Sequence, residues 1–164
     1  MYLAISCCVA IRIHMLNNKT RERLLRKPHG RPVHIYNFAT MTAFDDIFAS
    51  LKRVPAPHLD RLSVGADTAS EYTLLGRKPS PFPQHKGHPV YFASIRLGKA
   101  YVSYHLMPLY MNEALTGTIS PALKKRMQGK TCFNFKTPPG PELIAELERL
   151  TTAGLKSFVE KNWL

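Results

Sequence analysis

A chain of 164 residues with 45% hydrophobic and 21% charged side chains has room for one ordinary globular domain, and no apolar run approaches the roughly 20 residues that cross a bilayer as a helix. Its net charge of +12 attracts anions of every kind, from metabolites to nucleic acid. The cysteines, Cys7, Cys8 and Cys132, match neither a disulfide framework nor a zinc-ligand spacing, which points to a reducing, cytoplasmic setting.

Half of the net charge lies in residues 1–40, where Arg12, Lys19, Arg21, Arg23, Arg26, Lys27 and Arg31 face the single acid Glu22. The apolar start MYLAISCCVAIRIHML lacks the basic leader of a secretory signal and is interrupted by Arg12 and His14. Because composition changes at Met41, residues 1–40 are expected to be an extension, disordered or not native to the protein, with Met41 as an internal start. The domain is expected to span residues 41–164.

From Thr42, Phe44, Ile47, Phe48 and Leu51 recur at helical spacing, with Thr42 as cap and Asp45 and Asp46 in the first turn, where the helix dipole favours acids. Pro55 and Pro57 end this helix, and His58 to Ala69 reads as a second short one through Leu59, Leu62 and Ala66. Glu71 to Arg77 reads as a strand, and the prolines and glycine between Lys78 and Pro89 as a loop. Val90 to Leu97 and Ala100 to Met107 flank Gly98-Lys99, the pattern of a two-residue II′ hairpin. That turn sets Leu97 opposite Ala100, Ile95 opposite Val102 and Phe92 opposite His105. Alternation then places Tyr91, Ala93, Ile95, Leu97, Ala100, Val102, Tyr104 and Leu106 on a core face, and Phe92, Ser94, Arg96, Tyr101, Ser103 and His105 on a mixed face.

After Pro108 a helical turn is expected over Leu109 to Leu115, then a helix that starts at Ser120-Pro121, carries Leu123 and Met127, and stops at Gly129. Thr131, Phe133 and Phe135 alternate with Cys132, Asn134 and Lys136 in a last strand. Beyond Pro138-Pro139-Gly140-Pro141, a helical region that Gly154 is expected to divide buries Leu143, Ile144, Leu147, Leu150, Leu155, Phe158 and Val159. The sum is a single α+β domain, a mostly antiparallel sheet packed by N- and C-terminal helices.

Pro89-Val90-Tyr91-Phe92-Ala93-Ser94, the run Tyr101 to Pro108, and Lys130-Thr131-Cys132-Phe133-Asn134-Phe135 resemble the YdhG-like domain family, a largely bacterial group of unknown function. Its members place a hairpin ending near proline ahead of a helix, then a step of glycine and lysine into an alternating strand. The resemblance covers about residues 42 to 160. One branch of the family is described as a frataxin-like iron chaperone, so the resemblance implies iron binding as one function. The acidic helix of frataxins is represented here only by Asp45 and Asp46, followed by Lys52 and Arg53, so the fold is carried over and the iron residues are not.

The residue types best placed to bind are Arg96, Tyr101, Ser103, His105, Lys130 and Asn134, joined to the basic run Lys124, Lys125 and Arg126, as a pocket for a carboxylate or phosphate. Cys132, His105 and Asn134 are also the types of a thiol-hydrolase triad, set against a plain structural cysteine. The histidines, His14, His29, His34, His58, His85, His88 and His105, show no metal-binding spacing. Phe92 and Tyr101 could stack bases, but no nucleic-acid-binding signature accompanies them, and no phosphate-binding loop or paired-carboxylate pattern occurs. The expected function is therefore non-enzymatic binding of a small anionic molecule or a protein partner, without a cofactor and away from membranes. Iron delivery and thiol-dependent catalysis through Cys132 and His105 are the alternatives.

Overall fold

In the computed structural model residues 43–164 are described; the expectations for residues 1–40, for Met41 as a start and for Thr42 as a cap lie outside them. Helix α1 (Ala43–Arg53) has acids in its first turn and Lys52 and Arg53 in its last, and it buries Ile47, Phe48 and Leu51. Both charge placements complement the helix dipole. Pro55 follows, opening a 3₁₀ turn over Ala56–His58.

The expected second helix is instead strand β1 (Ser63–Asp67). Of its three supposed apolar positions only Leu62 is buried, Leu59 is exposed, and Val64 and Gly65 disfavour helix. Pairing with β2 (Glu71–Pro79) wins, through a turn in which the Thr68 amide donates to the Glu71 carbonyl at 2.8 Å and the Glu71 amide to Thr68 Oγ1 at 2.9 Å.

Strands β3 (Pro89–Leu97) and β4 (Val102–Leu106) form the expected hairpin, but its loop has four residues, Gly98 to Tyr101, closed by a 2.9 Å bond from the Gly98 amide to the Tyr101 carbonyl. Leu97 consequently faces Val102, Ile95 faces Tyr104 and Ser94 faces His105. This register is displaced by two residues from the expected one, which leaves the side chains of residues 93–97 and 102–106 on their expected faces because the strand period is two. A bulge does change faces. Leu74 of β2 pairs with Ala93 and Leu75 with Tyr91, so Phe92 is the extra residue. Beyond it the alternation inverts: Phe92 is fully buried, 5.0 Å edge-on to Phe158, while Tyr91 turns to the opposite face. This overturns the expected places of both aromatics, and with it base stacking by Phe92.

The turn after β4 becomes two short helices, α2 (Pro108–Met111) and α3 (Glu113–Gly117). The next, α4 (Pro121–Lys124), starts as expected, with Ser120 Oγ accepting from the Leu123 amide at 3.1 Å, but ends at Lys124. Met127 and Gln128 form β5, paired with β6 (Cys132–Phe135), so Gly129, at φ +70°, makes a hairpin turn rather than a helix stop. The final helix α5 (Pro141–Glu160) is unbroken over 20 residues. Gly154 serves close packing instead of a break: a Cβ there would lie 2.8 Å from Pro108. Val159, expected in the core, is 42% exposed.

Among the described residues the sheet has the order β1-β2-β3-β4-β6-β5 with every pair antiparallel, an α+β domain as expected. Tyr72, Leu74, Ile95, Val102, Tyr104, Leu106, Phe133 and Phe135 are buried on one face, in one core with Ile47 and Leu51 of α1 and Leu147, Leu150 and Phe158 of α5. Tyr104 Oη meets Thr151 Oγ1 at 2.8 Å, which satisfies a hydroxyl that burial keeps protonated.

Candidate ligand site on the open sheet face

The opposite face is polar across the sheet. Register places Thr73, Ser94, His105, Cys132 and Gln128 in one row, and Glu71, Arg96, Ser103 and Asn134 in the next. Leu75 and Tyr91 form a neighbouring pair. Since directly opposed residues share a face, Arg96, Ser103, His105, Cys132 and Asn134 are brought together as the alternation implied.

His105 is the centre of the site. Its Nδ1 lies 2.6 Å from Cys132 Sγ, its Nε2 lies 3.2 Å from Thr131 Oγ1, and the Tyr91 ring stands edge-on at 5.5 Å. Tyr91 Oη donates to Ser94 Oγ at 2.5 Å, holding the phenol against the sheet. Beside this group Arg96, with its side chain 62% exposed, donates from Nη2 to Glu71 Oε1 at 2.9 Å, and the same oxygen accepts from Thr73 Oγ1 at 2.9 Å. Asn134 Nδ2 donates to Gln128 Oε1 at 2.7 Å.

Burial pushes the Cys132 thiol up, with the Thr131 hydrogen bond and the Arg96 charge opposing it. Burial also pushes His105 down, and Arg96 pushes it further. The Tyr91 phenol is raised by burial against its bond to Ser94 and the charge of Arg96. Glu71 is lowered, first by Thr73 and then by Arg96. Two consequences follow. The Arg96 charge acts in the same direction on Tyr91, His105 and Cys132, lowering each against or along with the effect of burial. The raised thiol and the lowered imidazole both favour the neutral forms of the pair over the thiolate and imidazolium of an activated nucleophile.

Of the six side chains expected to bind, two lie outside these strand rows. Lys130 is in the turn before β6, its Nζ 5.5 Å from the centroid of the Tyr110 ring. Tyr101 is in the loop between β3 and β4. Conversely Tyr91, Glu71 and Thr73 were not anticipated: the first is delivered by the bulge, the others by the pairing of β2 with β3. Among the described residues no three His, Cys, Asp or Glu side chains are grouped so as to hold a metal ion. His58 meets Thr152 Oγ1 at 2.9 Å and His85 stacks edge-on with Phe82 at 5.3 Å. No helix among the described residues is long and apolar enough to cross a membrane. No family model matches the chain, and neither does any curated protein or solved structure.

Proposed function

We propose that the chain is a YdhG-like domain that binds a small anionic ligand, without catalysis, on the open face of its sheet inside the cell. The observation that carries this reading is the strand register, which sets Arg96 in one row with Ser103 and Asn134, beside the row of His105 and Cys132. Arg96 engages Glu71 through Nη2 alone, which leaves the rest of the guanidinium fork for a carboxylate or phosphate. What supports the kinship is the order of elements: a hairpin ending at Pro108, short helices, then glycine and lysine leading into an alternating strand. A reducing compartment suits the free thiol of Cys132. Thermal-shift measurements across carboxylate and phosphate metabolites should find an anion that raises the melting temperature, with the shift lost in Arg96→Ala. A panel in which no anion has any effect refutes the reading.

The contact between His105 and Cys132 favours a second reading, thiol-dependent catalysis. Its test is the alkylation rate of Cys132 against pH: the raised thiol predicts an inflection above that of a free cysteine, whereas an inflection well below it would favour the enzyme. Iron delivery has less support, because among the described residues Glu71 is the only acid that the strand register places on this face, and it is already held by Arg96 and Thr73.

A further inference from the structure

Lys130, displaced from the sheet face, faces a different feature. A cleft of about 220 Å³ is lined by Leu109, Tyr110, Glu113, Thr116 and Lys130, from α2, α3 and the turn between β5 and β6. It contains one side chain of each charge. Among the described residues neither Lys130 nor Glu113 has an ion-pair partner, and the two do not pair with each other. Lys130 instead lies over the Tyr110 ring, which is 66% exposed and fixes the ammonium on one wall. Thr116 Oγ1 spends its proton on the Leu109 carbonyl at 2.9 Å, so its oxygen is left as an acceptor. Leu109, nearly fully buried, backs the cleft.

Opposite charges that share a cleft without meeting complement a ligand that carries both. From this arrangement we infer that the cleft binds a zwitterionic α-amino acid with an apolar side chain, its carboxylate on Lys130 and its ammonium on Glu113 and Thr116. The size agrees, since the cleft is smaller than the roughly 300–1,000 Å³ of sites for drug-sized ligands. The apolar preference follows from the exposed ring of Tyr110, which also walls a second cleft of about 180 Å³ lined by Phe82, Gln84, His85, Val90, Met107 and Met111. This site is separate from the one built around Arg96 and stands or falls without it.

The test is calorimetric titration of the full chain with L-leucine, N-acetyl-L-leucine, which lacks the ammonium, and L-leucinamide, which lacks the carboxylate. L-leucine should saturate, and the two derivatives should bind at least about tenfold more weakly, as expected for loss of a charge-assisted hydrogen bond. Lys130→Ala and Glu113→Gln should each weaken L-leucine by a similar factor at unchanged melting temperature, since both side chains are exposed, while Arg96→Ala should leave it unaltered. L-alanine should bind more weakly than L-leucine. Failure of L-leucine to saturate, equal binding of the derivatives, or binding that survives both substitutions overturns the inference.

Discussion

Tyr104 and His105 are consecutive residues of β4, and they show how differently the two faces of this sheet are built. Tyr104 points into the core, sealed from water, its only polar atom matched to Thr151. His105 points the other way, half-buried among Cys132, Thr131 and Tyr91. On the first face shape governs and most substitutions cost stability; on the second, charge governs and side chains can be exchanged with little effect on folding.

The sharpest way to break this contrast is Phe92→Ala. If the bulge places Phe92 in the core against Phe158, truncation costs about 3–5 kcal/mol, read as a large loss in urea midpoint. A loss under about 0.5 kcal/mol would return Phe92 to the open face. Gly154→Val comes next. Its side chain would enter the contact between α5 and Pro108, with an expected cost of about 1–3 kcal/mol by thermal denaturation.

A smaller effect belongs to His105. Because its folded pKa is depressed below the ordinary 6.5, the unfolded chain takes up a proton more readily, so the stability present above pH 6.5 is lost as pH falls through that value towards the folded one. Urea midpoints of the wild type and His105→Gln at pH 7.5 and 5.5 should differ in slope, with the variant less sensitive to acid. The smallest effect on folding is that of Arg96→Ala, under about 0.5 kcal/mol, since its bond to Glu71 is exposed to solvent. The same substitution should abolish anion binding, and it should raise the Cys132 thiol and the His105 imidazole, both of which the guanidinium lowers. Alkylation kinetics and NMR titration read those two shifts.

Much of the candidate site was legible because strand chemistry is local. The alternation of Cys132 and Asn134 with Phe133 and Phe135 declared two faces, and once β6 pairs with β4 the meeting of His105 with Cys132 and of Ser103 with Asn134 follows. Glu71 was missed as the partner of Arg96 because that bond requires β2 beside β3, a contact between residues 25 apart. Tyr91 was assigned to the wrong face because a bulge is a property of two strands together. Lys130 belongs to the expected pocket around Arg96, and the turn at Gly129 carries it to Tyr110 instead.

By itself the sequence determined the kinds of element and the character of their surfaces: the stripe of α1, the strands around Gly98, the cap at Ser120 and the polar and apolar alternation of β6. These depend on periodicity and on contacts between near neighbours. Only the tertiary structure decided register, bulge and the competition between helix and strand at residues 58–69 and 125–128. A two-residue slip leaves the face pattern unchanged, and a short segment of mixed propensity takes whichever form its neighbour in space can pair. The packing of Phe92 against Phe158, and of β5 against β6, supplied what the local signals left undecided.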